Sequence, residues 1–218
     1  MKKSQTELVF ILDRSGSMGG LESDTIGGFN SMLVKQQAEP GECRLTTVLF
    51  DDKYEVLHDR IDIKAVGKIT EHEYYVRGCT ALLDALGNTI NKIAKVQKST
   101  AKEFRADKVL FVITTDGMEN ASREFSYENV KSLIEKQKKK HNWEFIFLGA
   151  NIDAIDVAEQ IGIAKSRVQN FHNDSEGIEM NYCVMSDTVT MYRAAPASAS
   201  IPDDWGKKIN KDFTERSK

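Results

Sequence analysis

The 218-residue chain has no apolar run near the roughly 18 residues that a membrane helix needs, and its N-terminal stretch meets Asp13 after a short apolar segment. It reads as lacking both a signal peptide and an anchor, so a cytoplasmic protein with no membrane partner is expected. Cysteine is scarce. Cys43, Cys79 and Cys183 are odd in number and form no C-x-x-C pair, which argues against a disulfide framework and a zinc knuckle. Excess positive charge is also missing: with 30 basic and 33 acidic residues the net charge is −3, so a nucleic-acid partner is not expected. His58, His72, His141 and His172 show no H-E-x-x-H spacing and read as surface or packing residues. A Walker motif is absent too, because Gly16, Gly19 and Gly20 are not followed by Lys-Ser. Internal repeats and low-complexity segments are likewise absent.

What remains is the composition of an ordinary soluble domain, 40% hydrophobic and 29% charged. Residues 8–12 form a continuous apolar run, as suits a strand buried on both faces of a parallel sheet. Met18, Leu21, Thr25, Phe29, Met32, Leu33 and Gln36 then recur at helical steps until Pro40-Gly41. Residues 45–50 read as a second strand, Asp51-Asp52 as a turn, and 54–61 as a returning edge strand. The spacing predicts helices over 82–96, 126–140, 152–161 and 176–194, and strands over 109–113, 145–148 and 168–171. Strands alternating with helices predict a doubly wound α/β fold: a mostly parallel central sheet flanked by helices, with one antiparallel edge strand. Residues 1–194 read as one domain. Residues 195–218, with Pro196, Pro202 and a Lys-rich end, read as a C-terminal tail packed only in part. A monomer is expected.

In such folds ligands bind at the carboxyl ends of the strands, near the point where strand order reverses. Three polar clusters fall at that end: Asp13-Arg14-Ser15-Gly16-Ser17, Gly78-Cys79-Thr80, and Thr114-Thr115-Asp116-Gly117. Together they offer two carboxylates and three hydroxyls, an oxygen set without imidazole or thiolate, which favours Mg²⁺, Mn²⁺ or Ca²⁺ over zinc or copper. Alternate residues of a loop leaving a strand can point the same way, and Gly16 permits the turn between Ser15 and Ser17. The plainer reading of the first cluster is a turn with an N-cap. Asp84 reads as a favourable charge at a helix N-terminus, Cys79 as a small buried filler, and Trp143 and Trp205 as core or tail anchors.

The run Asp13-Arg14-Ser15-Gly16-Ser17-Met18, with Thr80 in G-x-T-A-L-x-D-A and Asp116 in T-D-G, resembles the metal-ion-dependent adhesion site of von Willebrand factor type A (vWA) domains. The resemblance spans roughly residues 5–165, and residues 143–154 are similar to bacterial stand-alone members. It implies that Ser15, Ser17 and Thr80 offer hydroxyls to the metal, while Asp13 and Asp116 bind it directly or through water. It further implies a non-enzymatic module in which the ion coordinates an Asp or Glu of a partner protein. A second reading is open on the residues alone, a Mg-dependent phosphatase or phosphotransferase with Asp13 as nucleophile. Against it, Asp13-Arg14-Ser15 lacks the second acid of the D-x-D-x-T motif found in phosphotransferases of the haloacid dehalogenase type.

Overall fold

Strand β1 (Gln5–Asp13) is buried along its whole length. Successive side chains leave a strand on opposite faces, so Leu8, Phe10 and Leu12 enter one core while Val9 and Ile11 enter another. That double burial is why the apolar run is continuous rather than alternating. The computed structural model describes residues 4–217.

Strands β2 (Glu42–Phe50) and β4 (Lys108–Thr115) flank β1 in parallel. Beyond β4 lie β5 (Glu144–Gly149) and β6 (Val168–Asn170), also parallel. Strand β3 (Tyr54–Asp62) pairs antiparallel with β2 at the other edge, as the hairpin signal predicted. The order is β3-β2-β1-β4-β5-β6, so the chain reverses direction across the sheet between β1 and β4. One face packs against α1 (Glu22–Ala38), α5 (Ser175–Ala194) and α6 (Lys207–Arg216). The other packs against α2 (Leu82–Ser99), α3 (Tyr127–His141) and α4 (Ala154–Gln160). Among the described residues no helix is long and apolar enough to cross a membrane.

Helix ends follow local chemistry. Ser126 and Asn129 form a reciprocal capping box at α3, and Asp174 caps α5 by accepting from Gly177 N at 2.9 Å. Two departures from the sequence expectation go beyond a few residues at an element's end. The helical pattern from Met18 does not start a helix there: Gly16–Met18 is a 3₁₀ turn that buries Met18, and α1 begins at Glu22. Within 195–218 the chain forms an unforeseen helix, α6, and buries Ile201, Trp205 and Ile209 against the shared core. Trp205 Nε1 donates to Ser166 O at 2.9 Å, which anchors this segment beside β6. Only Ile209 of α6 is fully buried, and Ile209 and Phe213 are too few apolar positions in ten residues to set a clear period.

Candidate metal site

Strand β1 ends in Asp13 and strand β4 in Thr115, the two strands that bracket the reversal point. The Asp13 carboxylate accepts from Ser15 N at 2.7 Å through Oδ1 and from Thr115 Oγ1 at 2.6 Å through Oδ2. Its backbone carbonyl accepts from the hydroxyl of buried Tyr74 at 2.6 Å, which fixes where the strand stops. Ser15 Oγ lies 3.0 Å from Ser17 Oγ, and Ser17 Oγ donates to Asp116 Oδ1 at 2.6 Å. Asp13, Ser15, Ser17 and Asp116 therefore form one hydrogen-bonded chain.

Thr80 joins them through Gly117. A β-carbon on Gly117 would lie 2.7 Å from Thr80 Oγ1, 3.1 Å from Ser17 Oγ and 3.7 Å from Ser15 Oγ. Three hydroxyls thus surround one small volume that only a glycine leaves open. The loop after β1 and the loop that carries Thr80 are tied at the backbone: Gly16 N donates to Gly78 O at 3.2 Å and Arg77 N to Arg14 O at 2.9 Å. Gly78 has φ +67, the left-handed region that favours glycine, and a β-carbon there would press on the Asp52 carboxylate. Thr80 itself is held from both sides by Asn120, whose side chain accepts from Thr80 N at 2.9 Å and whose N–H donates to Thr80 O at 3.0 Å.

The segment after β4 and the start of α2 cap each other. Glu119 accepts from Leu83 N at 2.9 Å, and Ser122 Oγ accepts from Asp84 N at 3.0 Å. In return Asp84 accepts from the N–H groups of Arg123, Glu124 and Phe125 at 2.8, 2.9 and 2.9 Å. Asp84 was expected as a favourable charge at a helix start; it also closes the loop that follows Asp116. Asp51 was expected as a turn former, and it does accept from Lys53 N at 2.7 Å. It is also fully buried and paired with Arg14 Nε at 2.9 Å and Arg77 Nε at 2.6 Å. Cys79, expected as a buried filler, is exposed, because its neighbour Thr80 takes the inward position.

Burial pushes Asp13 up to about 6, against the hydrogen bonds from Ser15 and Thr115 that favour its ionised form. Asp116 is raised for the same reason, opposed by Ser17 and by Asn173, whose Nδ2 donates to Asp116 Oδ2 at 2.9 Å. Among the described residues both acids find only uncharged donors. Among the described residues no group of three or more His, Cys, Asp or Glu could hold a metal, so an ion here would depend on the hydroxyls. Two acids short of a cation and three convergent hydroxyls fit a hard divalent ion. Sequence reasoning missed Asn120 and Asn173. Asn120 follows the T-D-G motif closely enough to be suspected, whereas Asn173 carries no local signal.

With this geometry in view, comparison with known proteins is decisive. The family model for the von Willebrand factor type A domain matches residues 7–182. The chain belongs to that family. The match runs past residue 165, through β6 and into α5, and leaves α6 outside. No curated protein sequence matches the chain. Among solved structures, the vWA chain resembles the manganese-loaded TRAP protein of Plasmodium vivax, with 19% identity over 88% of this chain and 75% of that one and a TM-score of 0.62. It also resembles proximal thread matrix protein 1 of the mussel byssus with a zinc-occupied MIDAS motif, at 16% identity, 88% and 46% coverage and a TM-score of 0.58. A third is a von Willebrand factor type A protein of Catenulispora acidiphila, at 13% identity, 86% and 43% coverage and a TM-score of 0.58. The chain spans a little under half the length of the mussel and Catenulispora proteins. At these identities the likeness is one of fold.

Proposed function

We propose that this vWA domain is a metal-dependent protein-binding module in which Asp13, Ser15, Ser17, Thr80 and Asp116 hold one Mg²⁺, Mn²⁺ or Ca²⁺ ion. When bound, such an ion offers an electropositive coordination position to an Asp or Glu carboxylate of a partner protein. The observation that carries the reading is the convergence of three neutral hydroxyls beside two buried acids. Neutral ligands leave a divalent ion with net positive charge, which favours an anion at an open position. Among the described residues Asp13 and Asp116 accept only from Ser15, Thr115, Ser17 and Asn173, and no lysine or arginine satisfies them.

The rim of the site suits a protein partner. Met118, directly after Gly117, is 70% exposed and gives the rim an adaptable apolar contact. The phosphotransferase alternative draws no support from the residues beside Asp13, because Ser15 stands where a second acid is needed.

Selection of a random peptide library on the immobilised chain in Mn²⁺ tests the reading. Enriched sequences should contain an Asp or Glu, elute with a chelator, and fail to bind Asp116→Ala. Enrichment without acidic residues, or binding indifferent to chelator, would overturn it. Manganese and zinc are the ions named for the TRAP and mussel proteins, so both belong in a parallel metal titration.

A further inference from the structure

We infer that Asn173 is a positioning residue for Asp116 and that the C-terminal helix α6, outside the family-matched segment, holds it in place. The inference rests on the proposed metal site. Asp116 is gripped at both oxygens, by Ser17 at Oδ1 (2.6 Å) and by Asn173 at Oδ2 (2.9 Å). Ser17 comes from the loop after β1, whereas Asn173 lies in the short turn between β6 and α5. Asn173 is thus a contributor to the site from a fourth segment of the chain.

Both neighbours of Asn173 are engaged by α6. The His172 ring stacks on Phe213, with centroids 4.7 Å apart and planes 28° from parallel, and Nε2 lies 3.2 Å from the Phe213 carbonyl, which accepts from its N–H. On the other side, Arg216 pairs with the Asp174 carboxylate and also donates to Asp212 at 3.2 Å. Asp174 N donates back to His172 O at 2.9 Å, which closes a tight turn with Asn173 at its tip. Helix α6 is itself fixed, through buried Ile209 and through Trp205 on the β6 side of the sheet. A path of direct contacts therefore runs from the core to α6, to the turn, to Asn173 and to Asp116.

A carboxylate oriented before an ion arrives loses less freedom on binding it, and hydrogen bonds to ligating groups change metal affinity by about 10- to 100-fold. If the contact were only a staple for the turn, losing it would lower stability and leave metal affinity alone. Calorimetric titration of the full chain with Mn²⁺ separates the two. Asn173→Ala should bind Mn²⁺ about tenfold more weakly. Phe213→Ala/Arg216→Ala, which touches none of the five site residues, should also lose severalfold. The triple variant should bind no more weakly than Asn173→Ala, because both changes act through one bond. Unchanged affinity in Asn173→Ala, or losses that add, would overturn the inference. If the double variant unfolds, Arg216→Gln keeps the apolar contacts of α6 and should show the same loss to a smaller degree.

A metal-free readout keeps this test independent of the proposed function. In the wild type the Asn173 side-chain amide protons should show slowed solvent exchange by NMR, and the α6 variant should release them. A wild type that binds no Mn²⁺ would overturn the proposed function, while an amide unaffected by the α6 variant would overturn the clamp.

Discussion

Asp13 and Asp51 stand at the ends of neighbouring strands, β1 and β2, and both are almost wholly buried, yet they are treated in opposite ways. Burial works to raise Asp51, but Arg77, the Lys53 N–H and Arg14 hold it below its ordinary value. Among the described residues Asp13 meets only uncharged donors, from Ser15 and Thr115, and burial prevails, pushing it up to about 6. Arg14 is adjacent to Asp13 in sequence and is spent on Asp51 and Glu55 instead. One acid is thus a finished structural pair, whereas the other, together with Asp116, is left short of positive charge. Burying an unpaired carboxylate costs stability, so its persistence at the mouth of the sheet points to a cation supplied from outside.

The sharpest way to break this contrast is to remove one group from each cluster. Arg14→Ala should lower unfolding stability by about 1–3 kcal/mol in urea titration, because it removes one of the two guanidinium partners of buried Asp51 and leaves Arg77 as the other. Asp13→Asn in metal-free protein should leave stability unchanged or raise it, since it deletes an unpaired charge of nearly the same shape. Equal losses in the two variants would mean that Asp13 is as fully satisfied as Asp51.

Gly117→Ala comes next, as it fills the space between Thr80, Ser17 and Ser15 while leaving both acids in place. Metal affinity should fall at least about tenfold, with a stability cost of about 1–3 kcal/mol from overpacking. Affinity that survives would move the ion away from the hydroxyls.

The pH dependence sharpens the same point. Folded Asp13 holds its proton to about pH 6, against an ordinary value of 3.8, so the folded state binds that proton more tightly than the unfolded chain does. Its contribution to metal-free stability is complete below about pH 4 and is lost as pH rises to about 6. The stability difference between wild type and Asp13→Asn in thermal melts should follow that fall. Mn²⁺ competes with the proton, so added Mn²⁺ should stabilise the wild type more at pH 7 than at pH 5. A flat difference would show that Asp13 is not perturbed.

The smallest effect on metal is expected for Thr80→Ala, which removes one neutral ligand while Asp13, Ser15, Ser17 and Asp116 remain. It should weaken capture of an acidic peptide more than it weakens Mn²⁺ binding, as measured by fluorescence anisotropy and calorimetry. Equal losses would make Thr80 an ordinary ligand with no part in partner recognition.

Much of this was legible in the sequence because it depends on short-range pattern. Continuous apolar runs announced β1, β4 and β5, and the hairpin at Asp51-Asp52 announced the antiparallel edge. The convergence of Ser15, Ser17, Thr80 and Asp116 follows from the rule that strand ends at a reversal point share one crevice. What escaped depends on contacts distant in sequence. The burial of Arg14 requires Asp51 and Glu55, and the role of Asn173 requires Asp116, 57 residues away. Helix α6 escaped for another reason, since its many charged residues leave too few apolar positions to set a period. Cys79 was misread because adjacent loop residues face opposite ways, and the inward place belongs to Thr80.

The central claim is that the pair Asp13 and Asp116 lacks a cation because a divalent ion provides it. Calorimetric titration of Mn²⁺ into wild type and Asp13→Asn tests this most directly. The account predicts one ion per chain for the wild type and no detectable binding for a folded Asp13→Asn. Titration curves that coincide, with both proteins folded, would contradict it.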